Sequence, residues 1–561
     1  MPSAPSLDTL YDFIVVGGGT SGPVVARRLA DAAPGAQVLL IEAGPGNQDI
    51  IMSRMAMGWQ NIHFTEHEWG YDTELTDATL FHDVSGLNGT LMIRGTKADY
   101  DEWAEFGNVG WSWDDLLPLF KKSEKFFSTE GFPAAEEYHG TDGLLHTTVH
   151  PLAPISEAML KSYIDQGYDY KPDMFVSGGG EGVGHATRTV HDGIRTSGAD
   201  FVDNNPPANL QEKFKAVGVE AEVKNPKDGS IRSIILKAKE EIILSAGAYN
   251  SPFILLHSGV GPKEHLARYN IETKLDLKGV GSNLSDHLIV FQFYYLNSRM
   301  TYDHLIYPPG ALDTTVQEWI ENKTGVMGRF PFGPFAFLRA DKIMEDVSEW
   351  KDAKEKNPNS DPMGQKPGQP HIEYFSTELY GGGPQHIHLP TRDDESCFAT
   401  LTMLCGPQSR GTVRLRSSDP RTKPKIDHNY LSSPLDVALL AEGCRHVHNV
   451  VVNGAGTRDH ISGAWPKTRM YPESTEEWRE YVRQQAGTCY HPSSTCKMGP
   501  DTDEEAVVDP RLRVRGVKGL RVADISIMPK LNNGHTQAPA YMIGEKAASL
   551  ILEDHNLAVT H

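Results

Sequence analysis

Two histidines near the carboxyl end of the chain carry the side chains best suited to acid and base chemistry. His491 lies in the stretch YHPSSTCKMG, residues 490–499, and His535 lies in NNGHTQAP, residues 532–539. Imidazole has an ordinary pKa close to physiological pH, so it can accept or release a proton there. We therefore predict that these two loops form the reactive part of the molecule.

A predicted strand and a predicted helix flank the two loops. Leu520–Ala523 alternates apolar residues before Asp524, as a buried strand does, and apolar residues at helical spacing follow Pro539. A helix amino terminus offers unpaired main-chain N–H groups and the positive end of the helix dipole, which favour a negatively charged ligand. The pattern therefore predicts a cofactor site where the strand, the loops and the helix start meet.

The amino terminus carries a second indication of a cofactor. A short apolar strand at 11–17 leads into GGGTSG and a helix, and the next strand ends in Glu42, twenty residues after Gly22. In this setting the glycines let the main chain turn tightly and approach a pyrophosphate, while the acidic side chain accepts a ribose hydroxyl. The motif predicts a dinucleotide site, and a tight turn without a ligand is the alternative. The glycines concerned are Gly17, Gly19 and Gly22.

Composition limits the class of protein and its partners. With 561 residues the chain is too long for one core, and 39% hydrophobic and 23% charged residues are ordinary for a globular protein. The net charge of −21 disfavours nucleic acid and anionic membrane as partners. No apolar run approaches the roughly 18 residues of a spanning helix. We therefore expect a small-molecule substrate, no nucleic acid and no membrane.

Cysteine usage and the start of the chain bear on its location. Five cysteines without a CxxC pair predict neither a disulfide framework nor a metal site. No signal peptide precedes the first strand, so a cytoplasmic or other intracellular compartment is expected. Three Asn-X-Ser/Thr triplets leave secretion open.

The middle of the chain alternates between strand and loop patterns. Apolar alternation predicts strands within 216–244, and a turn of small residues then leads to a helix that is predicted to start at Pro252. The later strands include HIEYF at 371–375. The charged, Pro- and Gly-rich stretch Asp341–Pro370 is predicted to be a surface insertion or lid.

Taken together, these motifs resemble the glucose-methanol-choline (GMC) family of FAD-dependent flavoprotein oxidoreductases. The likeness rests on the glycine turn, the block at 245–262 ending in SGVGP, VGSNLSDH at 280–287, and the two histidine loops. It implies an α/β fold (α+β overall), with a Rossmann-like FAD-binding domain and an antiparallel-sheet substrate domain. The expected division is 1–290 mainly FAD-binding and discontinuous, 291–480 mainly substrate-binding, and 481–561 a return to the FAD-binding domain.

The stretch GHTQAP is most like the fungal aryl-alcohol oxidase and dehydrogenase branch. The resemblance implies oxidation of a primary alcohol, aromatic or aliphatic, to an aldehyde, with electrons passed to oxygen or another acceptor such as a quinone. By this resemblance His491 takes the hydroxyl proton while a hydride goes to flavin N5, and His535 holds the substrate oxygen. The further cofactor-binding residues it implies are Thr20, Ser21, Ala43, Asn88, Ala246, Gly247, Asp524, Gln537 and Ala538.

Several alternatives stay open at this point. The formate oxidase branch shares the insertion and QPHIE at 369–373, but it carries an arginine where this chain has His535. A lyase or cyclase with a structural FAD is a second alternative. A flavin-poor binding protein is a third, because the segment at 81–88 is shorter than is usual in the family. His386 and His388 are interpreted mainly as structural residues, with a place in the lining of the substrate site as the alternative. The phenylalanines of 330–337 either pack in the core or line a substrate funnel.

Overall fold

Two sheets and the helices around them organise the chain. The computed structural model describes residues 10–44, 50–58, 62, 65, 69–73, 82–83, 89–203, 207, 210–212, 220–224, 231–381, 396–466 and 470–557.

A parallel sheet contains the strands predicted at both ends of the sequence. Its Leu10–Val16 strand pairs with Val38–Ile41 on one side and with Lys237–Leu244 on the other. Side chains from Phe13 to Val16 are buried, as expected for a central strand covered on both faces. The described strands in spatial order are Leu210–Glu212, Val38–Ile41, Leu10–Val16, Lys237–Leu244 and Leu520–Val522.

The second of the two sheets is antiparallel. It takes Gly182–Gly184 from the amino-terminal part of the chain and Ala486–Thr488 from the carboxyl-terminal part. The predicted combination of a Rossmann-like sheet with an antiparallel sheet is therefore confirmed, while the domain boundaries at 290 and 480 stay a prediction. The described strands in spatial order are Ile461–Ala464, Leu288–Leu296, Cys397–Leu404, Ile372–Thr377, Phe332–Leu338 and Gly182–Gly184, and Ala486–Thr488 also pairs with Leu288–Leu296.

Short two-stranded pairs and helices complete the described chain. The strand pairs are Tyr71–Asp72 with His82–Asp83, Glu124–Phe126 with Leu145–Thr147, Val190–His191 with Ile194–Arg195, Glu220–Lys224 with Ile231–Ile235, Val260–Gly261 with Leu275–Asp276, and Thr412–Arg414 with Lys425–Asp427. The α-helices are Gly22–Ala32, Lys97–Glu105, Trp113–Ser123, Pro154–Asp165, Met174–Ser177, Asp200–Asp203, Gly247–His257, Lys263–Ala267, Ala311–Asn322, Asp341–Met344, Ser348–Lys356, Pro434–Asn453, Thr475–Gln485 and Gln537–Asp554. In the described ranges, none of these helices combines the length and apolar character needed to cross a bilayer.

The carboxyl-terminal helix, Gln537–Asp554, packs against the helix that follows the glycine turn, Gly22–Ala32. Ser21 donates its hydroxyl proton to the carbonyl of Ala540 at 2.7 Å. A Cβ atom at Gly544 would lie 2.8 Å from the main-chain oxygen of Ser21, so only glycine permits this approach. Two ends of the sequence are thereby joined at one place.

An ion pair between the same two helices strengthens the contact. Arg28 and Glu545 meet at 2.7 Å, and the Glu545 side chain is fully buried. A buried carboxylate is tolerated when a cation and further donors surround it. Ser123 supplies one such donor at 3.3 Å.

The helix predicted to start at Pro252 begins earlier, at Gly247. Pro252 has no N–H to bond the carbonyl of Ala248, which is the reason for predicting a start there. The hydroxyl of Thr495 donates to that carbonyl at 2.5 Å instead. A side chain distant in sequence therefore allows proline inside the helix.

The surface lid predicted for Asp341–Pro370 is wrong for the part that packs into the body of the protein. Trp350, Gln365 and Gln369 are buried. The Gln369 amide donates to Asp99 at 3.0 Å and to Glu102 at 2.9 Å. The prediction failed because polar side chains of this segment form hydrogen bonds inside the protein instead of facing solvent.

We predict that Gly544→Ala separates the two helices and lowers stability. The added methyl group overlaps Ser21 and Val24, and overpacking of this kind costs about 1–3 kcal/mol. The measurement is the midpoint of thermal unfolding together with the temperature at which flavin fluorescence appears. Gly35→Ala is the matched control because a Cβ atom there meets nothing within 4 Å. Equal midpoints for the two variants would contradict the prediction.

Candidate active site

Strand pairing places two histidines side by side. The strands Leu288–Leu296 and Ala486–Thr488 are antiparallel, and just beyond them the N–H of Cys489 donates to the carbonyl of His287 at 2.8 Å. The Nδ1 atoms of His287 and His491 lie 3.0 Å apart, with their ring planes at 83°. The main chain thus fixes a direct contact between two imidazoles.

Asp286 holds the loop that carries His491. Its carboxylate accepts the main-chain N–H of His491 at 2.9 Å and the hydroxyl of Thr488 at 2.6 Å. Tyr430 donates a third hydrogen bond to the same carboxylate. Burial raises the pKa of Asp286 to about 6, although these donors oppose the rise.

His535 faces His491 from the loop before the carboxyl-terminal helix. The ring centroids are 4.8 Å apart and the planes stand at 87°. Phe335 and Phe375 pack on His535 with centroid distances of 6.2 and 5.7 Å. The structure therefore brings the two predicted catalytic histidines into contact, with an aromatic wall beside one of them.

A carboxylate that the sequence analysis did not single out completes the group. Glu373 Oε1 lies 3.3 Å from Nε2 of His535, and Glu373 is fully buried. Apart from that contact, neither of its oxygens has a hydrogen-bond partner among the residues that the structure describes. A buried carboxyl group without hydrogen bonds is costly, and His535 is the ionisable side chain that contacts it.

The protonation of His491 follows from its surroundings. Burial lowers the pKa of His491 well below its usual value of 6.5, and the charges that His535 and His287 would carry when protonated lower it further. Burial likewise lowers the pKa of His287 to about 3. Both rings are consequently neutral near pH 7, and His491 has a lone pair with which to accept a proton.

Cys489 also lies close to the two facing histidines. One donor atom each from Cys489, His491 and His535 falls within 4.8 Å of the others. Burial raises the pKa of the Cys489 thiol well above its usual range, so the sulfur stays protonated. Cys489 therefore adds a neutral thiol to the surroundings of the two histidines.

The glycine turn after the first strand forms an open cradle. A Cβ atom at Gly22 would lie 1.9 Å from the oxygen of Gly17, so the turn closes only with glycine there. At Gly19 and Gly247 an added Cβ would meet nothing within 4 Å, so both positions border open space. The main chain can therefore approach a diphosphate at this point.

Glu42 lies beside this cradle. Its Oε2 accepts the N–H of Gly18 at 2.6 Å and its Oε1 accepts the N–H of Gly44 at 2.7 Å. Each carboxylate oxygen has a further lone pair for a ribose hydroxyl. Thr20 and Ala43 lie next to these residues in the chain, so the amino-terminal set predicted from the sequence is brought together.

Asp524 joins two elements of the predicted site. Its carboxylate accepts from the N–H of Gly247 at 2.9 Å, the hydroxyl of Ser251 at 2.6 Å and the N–H of Ser526 at 2.8 Å. With three donors from the protein, Asp524 holds the start of the Gly247–His257 helix against the end of the Leu520–Val522 strand. Ala246 is the residue that precedes this helix.

Gln537 and Ala538 form the first turn of the carboxyl-terminal helix. The amide of Gln537 donates to Thr189 at 3.2 Å, and the Ser21 hydroxyl is already bonded to this helix. Three predicted residues, Asn88, His386 and His388, lie outside the described residues.

A buried amide supports the fit of a polar cofactor. Asn532 is fully buried, three residues before His535, and neither of its side-chain polar atoms has a hydrogen-bond partner in the described part of the chain. Unsatisfied buried amides are rare in proteins because they lose their bonds to water. The open glycine turn and this amide suit two parts of FAD: the diphosphate at the turn and the polar flavin ring beside Asn532.

The sequence analysis missed three residues of this site: His287, Glu373 and Asn532. His287 is the last residue of VGSNLSDH, and Asn532 opens the His535 loop. Glu373 is the one charged residue in the Ile372–Thr377 strand, and this is the sequence feature that could have indicated it.

Comparison with known proteins agrees with the geometry. Two family models, both described as GMC oxidoreductase, match residues 11–289 and 407–544. This chain belongs to the GMC oxidoreductase family. It is therefore an FAD-dependent oxidoreductase, and the resemblance stated from the sequence is confirmed.

Relatives of known activity cover nearly the whole chain. The glucose dehydrogenase [FAD, quinone] of Drosophila melanogaster is 33% identical over 97% of this chain and 87% of its own length. The oxygen-dependent choline dehydrogenase of Photobacterium profundum is 31% identical over 97% and 94%.

Solved structures of the family share this fold. A formate oxidase of Aspergillus oryzae RIB40 has a TM-score of 0.89 at 28% identity, covering 98% of this chain and 99% of its own. A fungal aryl-alcohol oxidase has a TM-score of 0.76 at 25% identity, covering 97% and 99%. These relatives differ in substrate, so the substrate must be argued from the site.

The pKa of His491 predicts the pH dependence of flavin reduction. A lowered pKa keeps the ring neutral at and above neutral pH, and the ring becomes protonated only as the pH falls through that pKa. We expect the rate of anaerobic flavin reduction by the substrate to stay constant between about pH 7 and pH 8, which lies above the pKa of about 6 of Asp286. Stopped-flow absorbance measures this rate, and half-loss at or above the ordinary imidazole pKa would contradict the expectation.

Proposed function

We propose that this protein oxidises an uncharged primary alcohol, aromatic or aliphatic, to the aldehyde. The observation that carries the proposal is the buried contact between His491 and His535, whose ring centroids lie 4.8 Å apart beside the carboxyl-terminal helix. Two imidazoles at this distance can share one substrate oxygen, with one ring accepting its proton and the other holding it.

The neighbours of each histidine assign the two roles. His491 contacts the neutral ring of His287 and has a lowered pKa, so it is the ring that accepts the hydroxyl proton. His535 contacts the Glu373 carboxyl group through Nε2, so it is the ring that holds the substrate oxygen by a hydrogen bond. FAD, when bound, supplies the acceptor for the hydride from the carbinol carbon.

The helix start at Gln537 adds a favourable field. Main-chain N–H groups of the first turn have no helical partner and form the positive end of the helix dipole. Negative charge that develops near this turn during the reaction is therefore stabilised. Gly17, Gly19 and Gly22 would hold the diphosphate in the middle of the cofactor, with Glu42 at the ribose.

Aromatic side chains beside His535 support an apolar substrate. Phe335 and Phe375 stack on one another with centroids 5.3 Å apart, and both contact the ring of His535. A wall of this kind favours an aromatic or aliphatic group next to the hydroxyl over a sugar. The structural similarity to a fungal aryl-alcohol oxidase supports the same class.

Formate is the second candidate substrate, because a solved formate oxidase has a TM-score of 0.89 to this chain. The buried carboxylate of Glu373, 3.3 Å from His535, argues against it. An ionised Glu373 would repel a second anion in a place where water does not screen the two charges. The site therefore favours a neutral alcohol over a carboxylate substrate.

A panel of substrates and acceptors tests the proposal. The flavin of the purified holoenzyme is expected to bleach anaerobically with benzyl alcohol or a medium-chain primary alcohol, and not with glucose or formate. Reoxidation by oxygen and by a quinone then identifies the acceptor. Both are tested because the name of one relative includes a quinone and the name of another describes it as oxygen-dependent. An unchanged flavin spectrum across the whole alcohol panel would overturn the proposal, and turnover without bleaching would favour a non-redox relative.

We predict that His491→Ala slows flavin reduction about 10²–10⁴-fold, which is the usual contribution of a general base. The limiting rate in stopped-flow reduction measures the effect, with the FAD content of the variant determined separately. His448→Ala is the matched control, because His448 is also largely enclosed but lies on the Pro434–Asn453 helix, where it contacts Tyr294. Reduction at the parent rate in His491→Ala would remove this histidine from the mechanism.

We predict that Glu373→Gln improves the binding of formate about tenfold or more, because the amide removes the buried negative charge. The inhibition constant of formate against alcohol-dependent flavin reduction measures the change. Glu378→Gln is the control: this buried carboxylate already accepts the N–H of Ala153 at 2.7 Å. If formate binds the parent and Glu373→Gln equally, the charge of Glu373 does not select the substrate.

A further inference from the structure

The contact between His287 and His491 joins two nitrogens of the same type. Their Nδ1 atoms are 3.0 Å apart, which is a hydrogen-bond distance. Two lone pairs would repel at this separation and two N–H groups would collide, so one ring must donate and the other must accept. The contact therefore fixes which nitrogen of each neutral ring carries the proton.

We infer that His287 is a positioning residue that fixes the tautomer of His491, accepting its Nδ1–H so that the Nε2 lone pair is free for the substrate. The inference rests on the proposed function, in which His491 takes the hydroxyl proton. With the opposite tautomer, His491 would carry its proton on Nε2 and could only donate there.

The role of His287 follows from that of His491. The ring of His287 is fully buried and stays neutral, so it carries a single proton. Because His491 needs its Nε2 lone pair to accept the substrate proton, the proton of its own neutral ring is on Nδ1, which faces His287. Nδ1 of His287 is therefore the acceptor, and the single proton of His287 is on Nε2.

Both partners of this contact are held by the main chain. The carbonyl of His287 accepts the N–H of Cys489 at 2.8 Å, and the N–H of His491 donates to Asp286 at 2.9 Å. His287 directly precedes one of the two paired strands, and His491 follows the other. The strand pairing therefore fixes both rings in addition to their own contact. A substitution at His287 can then change the acceptor while leaving the loop in place.

The same bond persists when His491 accepts a proton. The proton leaves the substrate hydroxyl and is bound at Nε2, while Nδ1–H remains donated to His287. A neutral acceptor stabilises the resulting cation without raising the resting pKa as a carboxylate would. His535, by contrast, is paired with the Glu373 carboxylate. The two histidines are thus prepared for different tasks by different partners.

Substitutions at His287 separate the acceptor from the rest of the side chain. In His287→Asn the amide oxygen can occupy the position of Nδ1 and accept from His491. His287→Leu has a similar size and no acceptor. We expect the limiting rate of flavin reduction to fall about 10- to 100-fold in His287→Leu and to stay within about threefold of the parent in His287→Asn.

Two further variants keep the test decisive. Should His287→Leu lose its flavin, His287→Gln replaces it, because its amide is polar but lies one bond further out. His448→Leu controls for removal of a partly buried imidazole elsewhere and is expected to reduce at the parent rate. All rates are compared per bound FAD, with the dissociation constant of the alcohol measured in the same experiment and expected to change little.

The double variant His287→Leu/His491→Ala shows whether His287 acts through His491. We expect it to be no slower than His491→Ala alone, since the tautomer of an absent ring has no effect. The inference is overturned if His287→Leu reduces at the parent rate, if His287→Asn is as slow as His287→Leu, or if the double variant is further impaired. Parent-rate reduction in His491→Ala would instead refute the proposed function itself.

Discussion

The packing of the carboxyl-terminal helix against the helix after the glycine turn is the interaction on which the rest of the site depends. Ser21 bonds the carbonyl of Ala540, Arg28 pairs with the buried Glu545, and Gly544 lets the two helices approach. This contact brings the loop of His535 to the same side of the molecule as the cradle for the diphosphate. Without it, the two halves of the cofactor site would belong to separate parts of the chain.

Burial of several titratable groups gives the site its chemistry. His287, His491, His535 and Glu373 all lie where water is largely excluded, so each must be stabilised by another. His491 is held neutral beside a neutral ring, and His535 lies beside a carboxylate. These different neighbours support the proposed division of roles, in which His491 accepts a proton, His535 donates a hydrogen bond and Glu373 disfavours an anionic substrate.

Local patterns were sufficient to predict the glycine turn, because a turn between strand and helix is encoded within about thirty residues. That the loops of His491 and His535 are reactive stays a prediction, although the structure brings the two rings into contact. The contact of His287 with His491 spans 204 residues and depends on the register of two paired strands, which no local pattern shows. The contact of Glu373 with His535 is equally non-local, because Glu373 lies on the Ile372–Thr377 strand and His535 lies on a loop far along the chain. Pro252 inside a helix misled the prediction because Thr495, far along the chain, satisfies the freed carbonyl.

The most direct test of the account is an experimental structure of the FAD-loaded protein with an unreactive analogue of a primary alcohol. The account predicts the diphosphate at the turn of Gly17 and Gly22, and the analogue hydroxyl within hydrogen-bond reach, ~2.6–3.2 Å, of Nε2 of His491 and of the His535 ring. A flavin bound elsewhere, or a hydroxyl that contacts neither histidine, would contradict it.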